Sequence, residues 1–161
     1  MRSVLGHAFR CQGGNSEAKV ETVRLSVKSD YAARAVLALA RHYTSGQAQR
    51  AEHLAAEQQI PANYLVQILA ELKAANLVIS QRGKEGGYLL ARPPAEITLA
   101  DVLVSVHGEV FGSPALRDTR CPPTLRKAWK SLQSKLEATA QSMNFQRLVD
   151  DSNHPDEMYY I

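Results

Sequence analysis

Cysteine is scarce in this 161-residue chain. Cys11 and Cys121 are the two present, too few for a disulfide framework, so packing must hold the core. Long apolar runs are missing as well. None approaches the roughly 18 residues that suggest a membrane-spanning helix, so no membrane partner is expected. The opening stretch MRSVLGHAFRCQGG has an early arginine and a short, broken apolar run, not the apolar centre of a secretory signal. A cytoplasmic protein is the expectation. The marks of catalysis are also absent: no phosphate loop, no paired catalytic carboxylates, no nucleophile with a placed base. His42 and His53 stand isolated in helical stretches. The chain is read as a non-enzyme.

A strong charge of one sign is lacking too, since the net charge is +3. Its distribution says more. Residues 23–92 hold nine Lys/Arg against five Asp/Glu, hence +4, while residues 93–161 hold seven against nine, hence −2. A basic first half fits nucleic-acid binding there and another task beyond it.

What is present is ordinary globular composition, 45% hydrophobic and 22% charged, enough for one domain with its own core. Residues 1–22 show no period and contain a polar Gln-Gly-Gly-Asn-Ser run; a flexible extension, or a start assigned too early, is expected. A helix is expected over 30–43, with Ser29 as N-cap and Tyr31, Ala35, Val36, Leu39, Ala40 and Tyr43 on one apolar face, ended by Gly46. A short helix over 50–58 and another over 62–76 flank Ile60-Pro61, a helix-turn-helix pattern with Ile60 as pivot. Then Val78-Ile79 and Tyr88-Leu89-Leu90 flank a turn that holds Gly83, Gly86 and Gly87 and carries Arg82 and Lys84. This reads as a hairpin whose glycines permit positive φ. A basic hairpin after a helix-turn-helix is a wing.

Past Pro93-Pro94, Thr98 and Asp101 suggest a capping box for a helix with Leu99, Val102, Leu103 and Val106 inward. Residues 109–121 read as loop. Pro122-Pro123 open a long helix on which Leu125, Trp129, Leu132, Leu136, Thr139 and Met143 are spaced four, three, four, three, four. That heptad seam, broken by Thr139, suggests a homodimer; the alternative is a seam packed back on the head. A last short helix capped by Asn144 runs through Val149, and the tail from Asp150 is expected to be loosely ordered. The fold class is mainly α with a small β-hairpin: a winged helix-turn-helix plus a long C-terminal dimerisation helix. The divisions are 1–22 extension, 23–92 DNA-binding domain, 93–150 regulatory loop and dimerisation helix, and 151–161 tail.

Leu25-Ser26 ahead of Asp30-Tyr31-Ala32, and Arg82-Gly83-x-x-Gly86-Gly87-Tyr88-x-Leu90 before Ala91-Arg92-Pro93, carry a specific resemblance. Over residues 23–150 the chain resembles the Rrf-two (Rrf2) family of winged-helix transcription regulators, which includes IscR-, NsrR- and CymR-like proteins. The resemblance implies a dimer whose two heads read a partly palindromic operator in double-stranded DNA, most simply as a repressor. Helix 62–76 is then the reading helix and residues 81–88 the wing. Ala62, Asn63, Tyr64, Val66 and Gln67 are the candidates for the major groove, where Asn and Gln can pair with adenine. Val66 stands where family members often carry Glu, so the operator need not be the family's. Ser26, Lys28, Arg82 and Lys84 are the phosphate or minor-groove candidates, and Gly83, Gly86, Gly87 and Tyr88 shape the wing.

Many relatives hold an iron–sulfur cluster through three cysteines in the loop before the long helix. Here that loop contains only Cys121, and no cofactor is the reading taken. Asp30 matches a partner-chain carboxylate ligand of the NsrR-like branch; with His107 and Cys121 it would make a mixed site. Each of the three also has an ordinary structural reading. Cys121 has a second functional reading as a thiol redox sensor before a helix, with Arg120 and Arg126 near in sequence. A third reading is a cluster-free regulator answering to a small molecule or a protein, as in CymR-like members. The competing class is a winged-helix interaction module that no longer binds DNA.

Overall fold

The computed structural model describes residues 25–153. The readings made for residues 1–22, Cys11 and the tail beyond residue 153 lie outside them. Seven α-helices and one antiparallel hairpin make up the described residues.

Helix α1 (Val27–Arg41) starts three residues before the expected position. Ser26, not Ser29, is its N-cap: the Ser29 amide donates to Ser26 Oγ at 3.0 Å, and Ser29 itself is buried. Ala32, Ala35, Val36 and Leu39 line the inward face, and the alanines let neighbouring helices approach closely. The helix stops at Arg41, and Tyr43 falls in a 3-10 turn (Tyr43–Ser45) that ends at Gly46 with φ 65°.

Helices α2 (Ala51–Gln58) and α3 (Ala62–Ala74) form the helix-turn-helix. Both end in the same way. After α2, Gln59 turns left-handed (φ 54°) and the Ile60 amide donates back to Ala55 O at 2.9 Å. After α3, Asn76 turns left-handed (φ 55°) and the Leu77 amide donates to Leu72 O at 2.9 Å. These reverse turns satisfy the last helical carbonyls and drive Ile60 and Leu77 into the core. They explain why α3 ends at residue 74 and not 76.

Strands β1 (Val78–Gln81) and β2 (Gly87–Leu90) pair with Val78 opposite Leu90 and Gln81 opposite Gly87. Of the three wing glycines only Gly83 has positive φ, at 111°. The other two are required by space. A Cβ on Gly86 would lie 2.6 Å from Gln81 O, and one on Gly87 2.5 Å from Gln49 O. The second close approach marks an added bridge: the Gln49 amide donates to Tyr88 O (2.9 Å) and the Tyr88 amide to Gln49 O (2.8 Å).

Helix α4 (Leu99–His107) begins with the capping box: the Asp101 amide donates to Thr98 Oγ1 and the Thr98 amide to the Asp101 carboxylate. Residues 109–121 are not all loop, because Pro114–Arg117 forms a short helix, α5. Helix α6 (Pro123–Ser142) ends before Met143, so the last seam position is not helical. The Met143 carbonyl instead accepts from the Leu99 amide at 2.8 Å, which turns the chain back under α4. Helix α7 (Phe145–Asn153) is capped by Asn144 Oδ1, which accepts from the Arg147 amide at 2.9 Å. It runs four residues past Val149, so residues 150–153 are helical, not loose.

One main core joins all of this. Leu54, Leu65, Ile68, Leu69 and Leu72 of the helix-turn-helix meet Val36 of α1, and Ile97, Val102 and Phe145 close the same cluster. The packing is continuous across residue 93.

The Gln49–Tyr88 bridge predicts the effect of Gly87→Ala. The added methyl should cost about 1–3 kcal/mol by overpacking. Urea unfolding measures the loss, and amide exchange should localise it to Gln49 and Tyr88.

Candidate nucleic-acid interface

The first turns of α3 present Ala62, Asn63, Val66 and Gln67 to solvent, while Leu65, Ile68 and Leu69 anchor the opposite face. An amide-bearing edge on a rigidly seated helix is suited to base edges in a major groove. Tyr64 is placed differently. Its ring sits edge-on to Tyr31 with centroids 5.9 Å apart, half-buried against the core, so it seats α3 on α1.

At the wing, Arg82, Gly83 and Lys84 are exposed, and Tyr88 packs partly against the core. The wing is also tied to the helix-turn-helix by residues that sequence reasoning missed. Arg50, the N-cap residue of α2, donates through Nη2 to Lys84 O at 2.7 Å. Gln49, almost fully buried, supplies the backbone bridge to Tyr88. Their signal in the sequence was slight: a two-residue approach to a short helix, with no strand pattern. On the facing strand, Ser80, which pairs with Tyr88, accepts at Oγ from Lys73 Nζ at 2.6 Å.

The two candidates at the start of α1 are engaged inside the protein. Ser26 Oγ caps α1 and lies 2.9 Å from His107 Nε2, which is also 2.7 Å from Ser29 Oγ. Lys28 Nζ pairs with Glu71 at 2.8 Å and donates to Val106 O at 3.3 Å, joining α1, α3 and α4. A half-buried lysine with two internal partners is a clasp between helices, not an open phosphate contact.

The residues considered for a metal or a thiol sensor do not meet. Asp30 pairs with Arg34 one turn on, at 2.7 Å, and His107 faces the two serines. Among the described residues no three of His, Cys, Asp or Glu converge on one point. Cys121 is half-exposed, and the nearby cations turn elsewhere. Arg120 Nε and Nη2 both donate to the Asp118 carboxylate, at 3.1 and 3.2 Å. Arg126 Nη2 donates to Asp118 O and Cys121 O. The Arg120 side chain, followed by its amide, holds the Asp118 carboxyl below its ordinary range. A lowered carboxyl favours the folded loop above the ordinary carboxylate range, and the contribution fades as pH falls through the lowered value.

Along α6 and at Met143 just beyond it the seam is part-exposed: Leu125 is 47% exposed and Leu132 41%, with Leu136 and Met143 close to these. Trp129 differs, for it stacks on Phe111 at 6.4 Å. Thr139 is exposed as well. Among the described residues no helix is long and apolar enough to cross a membrane.

The sequence model of the Rrf2 family, described as iron-dependent transcriptional regulators, matches residues 25–151. The chain belongs to the Rrf2 family. A Mycobacterium tuberculosis protein named for the HTH-type transcriptional regulators is 38% identical over 124 residues, 74% of this chain and 76% of the relative. IscR of Photorhabdus laumondii, an HTH-type transcriptional regulator, is 30% identical over 133 residues, 80% of each chain. Among solved structures, IscR of T. potens superposes with TM-score 0.71 at 26% identity, over 86% of this chain and 97% of that one. CymR, the global cysteine regulator of B. subtilis, gives 0.70 at 25% identity, over 80% and 98%. The winged helix read from the sequence is the fold of these neighbours, and the chain is a DNA-binding transcriptional regulator of the Rrf2 type.

The family description brings iron into question. A cluster is usually held by four protein ligands, mostly thiolates. Cys121 is the one cysteine among the described residues. Asp30 and His107 already have partners. This donor set does not fit an iron–sulfur centre.

The internal engagement of Lys28 has a measurable consequence. Lys28→Met should leave the salt dependence of DNA binding unchanged while lowering stability by about 1 kcal/mol or less, as for a partly exposed ion pair. A salt titration by fluorescence anisotropy, set beside urea unfolding, separates the two roles.

Proposed function

We propose that the protein is a homodimeric, sequence-specific repressor that reads a partly palindromic operator with α3 and the wing. The observation that carries this reading is the pairing of an exposed Asn63–Gln67 edge with an exposed Arg82–Lys84 tip, on elements fixed to each other through Gln49 and Arg50. Base-edge donors and acceptors on one element and free cations on the other divide the work into sequence reading and backbone positioning. The apolar seam along α6, continued by Met143 just after it, supports the dimer, since Leu125, Leu132, Leu136 and Met143 each keep 40–47% of their surface open to solvent. A two-fold dimer presents two reading helices, and a palindrome matches that symmetry. Val66 places an apolar side chain at the reading edge, suited to a thymine methyl.

The regulatory signal is read as a small molecule or a partner protein. A cleft of about 700 Å³ opens between the end of α3, α4 and α6, lined by Glu71, Arg92, Asp101 and Glu137 among others. Its position between the reading helix and the dimerisation helix supports an effector that changes how the two are set.

Two sets of variants test the reading. Arg82→Ala should weaken binding to every DNA sequence and reduce the log–log salt slope by about 1. Gln67→Ala should instead relax preference at one base pair, with about 1–3 kcal/mol of discrimination lost. Equal slopes and equal preferences in both variants would leave the interaction-module reading in its place. For the seam, Leu132→Asp should shift the sedimenting species from dimer to monomer and lower operator affinity with it.

A further inference from the structure

The segment 109–121 is organised, although it has few donors for a metal. Those it has are Glu109, Asp118 and Cys121, and an arginine engages each of the first two: Arg117 lies 3.7 Å from Glu109, and Arg120 grips Asp118. Two side chains from the first turns of α6 hold the segment at its two ends. Towards the end, Arg126 Nη2 donates to Asp118 O at 2.6 Å and to Cys121 O at 3.2 Å. One guanidinium thus satisfies two carbonyls of the turn that enters α6, a turn also closed by the Cys121 amide donating to Asp118 O at 3.2 Å. Towards the start, Phe111 stacks on Trp129 with ring planes 27° apart. Arg126 and Trp129 are three residues apart and so lie on neighbouring positions of one helical face. Between the two anchors, the short helix α5 packs on α6.

We infer that α6, with Arg126 as the positioning residue and the Phe111–Trp129 stack as second anchor, organises residues 109–121 in place of iron, so that the order of this segment and the DNA affinity do not depend on the metal. Charge-assisted bonds to backbone carbonyls are strong, and here both come from the one Nη2 nitrogen, at the full reach of the arginine side chain. An iron centre would have to break the Arg117 and Arg120 pairs to recruit carboxylates, and would still find one thiol. The DNA arm of the inference rests on the function proposed above; the loop arm does not.

Trp129 is the only tryptophan in the chain, so its fluorescence reports the segment directly. The full chain is purified anaerobically, and iron content, visible absorption and Trp129 emission are measured with and without EDTA. Affinity for a DNA fragment from its own promoter region is measured in the same samples and after anaerobic treatment with ferrous iron and sulfide. Expected are substoichiometric iron, no visible band, unchanged emission, and affinities that agree within about twofold. Arg126→Ala should red-shift the emission and raise acrylamide quenching about twofold as the segment opens locally, with Arg126→Lys between it and the parent. Phe111→Ala, which keeps Arg126, is the second variant should Arg126→Ala fail to fold, and should raise quenching in the same way. Stoichiometric iron with a visible band, a loss of affinity of about tenfold on chelation, or parental quenching in both Arg126→Ala and Phe111→Ala would overturn the inference. Absence of DNA binding in every sample would count against the proposed function alone, because the iron and fluorescence readings stand without it.

Discussion

Two backbone hydrogen bonds between Gln49 and Tyr88 set the geometry on which the DNA-binding half depends. They attach the hairpin to the segment just ahead of α2, two residues before its first turn, and so tie wing and helix-turn-helix together. Their cost is a strict demand on the neighbouring residue. Gly87 approaches Gln49 O so closely that any side chain there would force the backbone to shift. Arg50 adds a charged donor to the wing's own backbone, so the segment that carries Gln49 contacts the hairpin twice. A two-stranded hairpin by itself is marginal in water; these contacts, with Val78 and Leu90 buried beneath, supply the support it lacks.

Much of the fold was legible because several independent signals agreed at each element. Thr98 and Asp101 form the capping box that their spacing suggested. Ile60 is the buried pivot between α2 and α3, and Gly46 ends the first helical stretch. The misplacements have physical causes. Ser26 and Ser29 are both acceptable caps by residue type; Ser26 takes the role by accepting from the Ser29 amide, and His107 lies within reach of both hydroxyls. The reading helix was carried two residues too far because Asn76, counted into it, turns left-handed after α3 ends at Ala74. The helical content of residues 150–153 reflects the anchoring of α7 by Phe145, which is buried under the head.

Exposure and chemistry coincide at Asn63, Gln67, Arg82 and Lys84, so these candidates could be named from the sequence and found open on the surface. The site was obscure where a polar side chain has an internal use. Lys28 has the composition of a phosphate contact, yet Glu71 and Val106 claim it from elements far along the chain. Nothing local to residue 28 could reveal partners 43 and 78 residues away. The same holds for Arg126, whose proximity to Cys121 in sequence suggested a thiol partner and whose guanidinium points to carbonyls. Gln49 was missed for the opposite reason, because its role belongs to the backbone, which composition does not display, and Arg50 because its guanidinium reaches a wing carbonyl 34 residues on.

The core shared across residue 93 bears on how such a protein can be divided. Ile97, Val102 and Phe145 come from the second half yet sit among the leucines of the reading head. A chain cut after the wing would leave that apolar face open to water, with Lys28 and Glu71 deprived of the Val106 carbonyl that completes their clasp. The head is therefore not a detachable cassette.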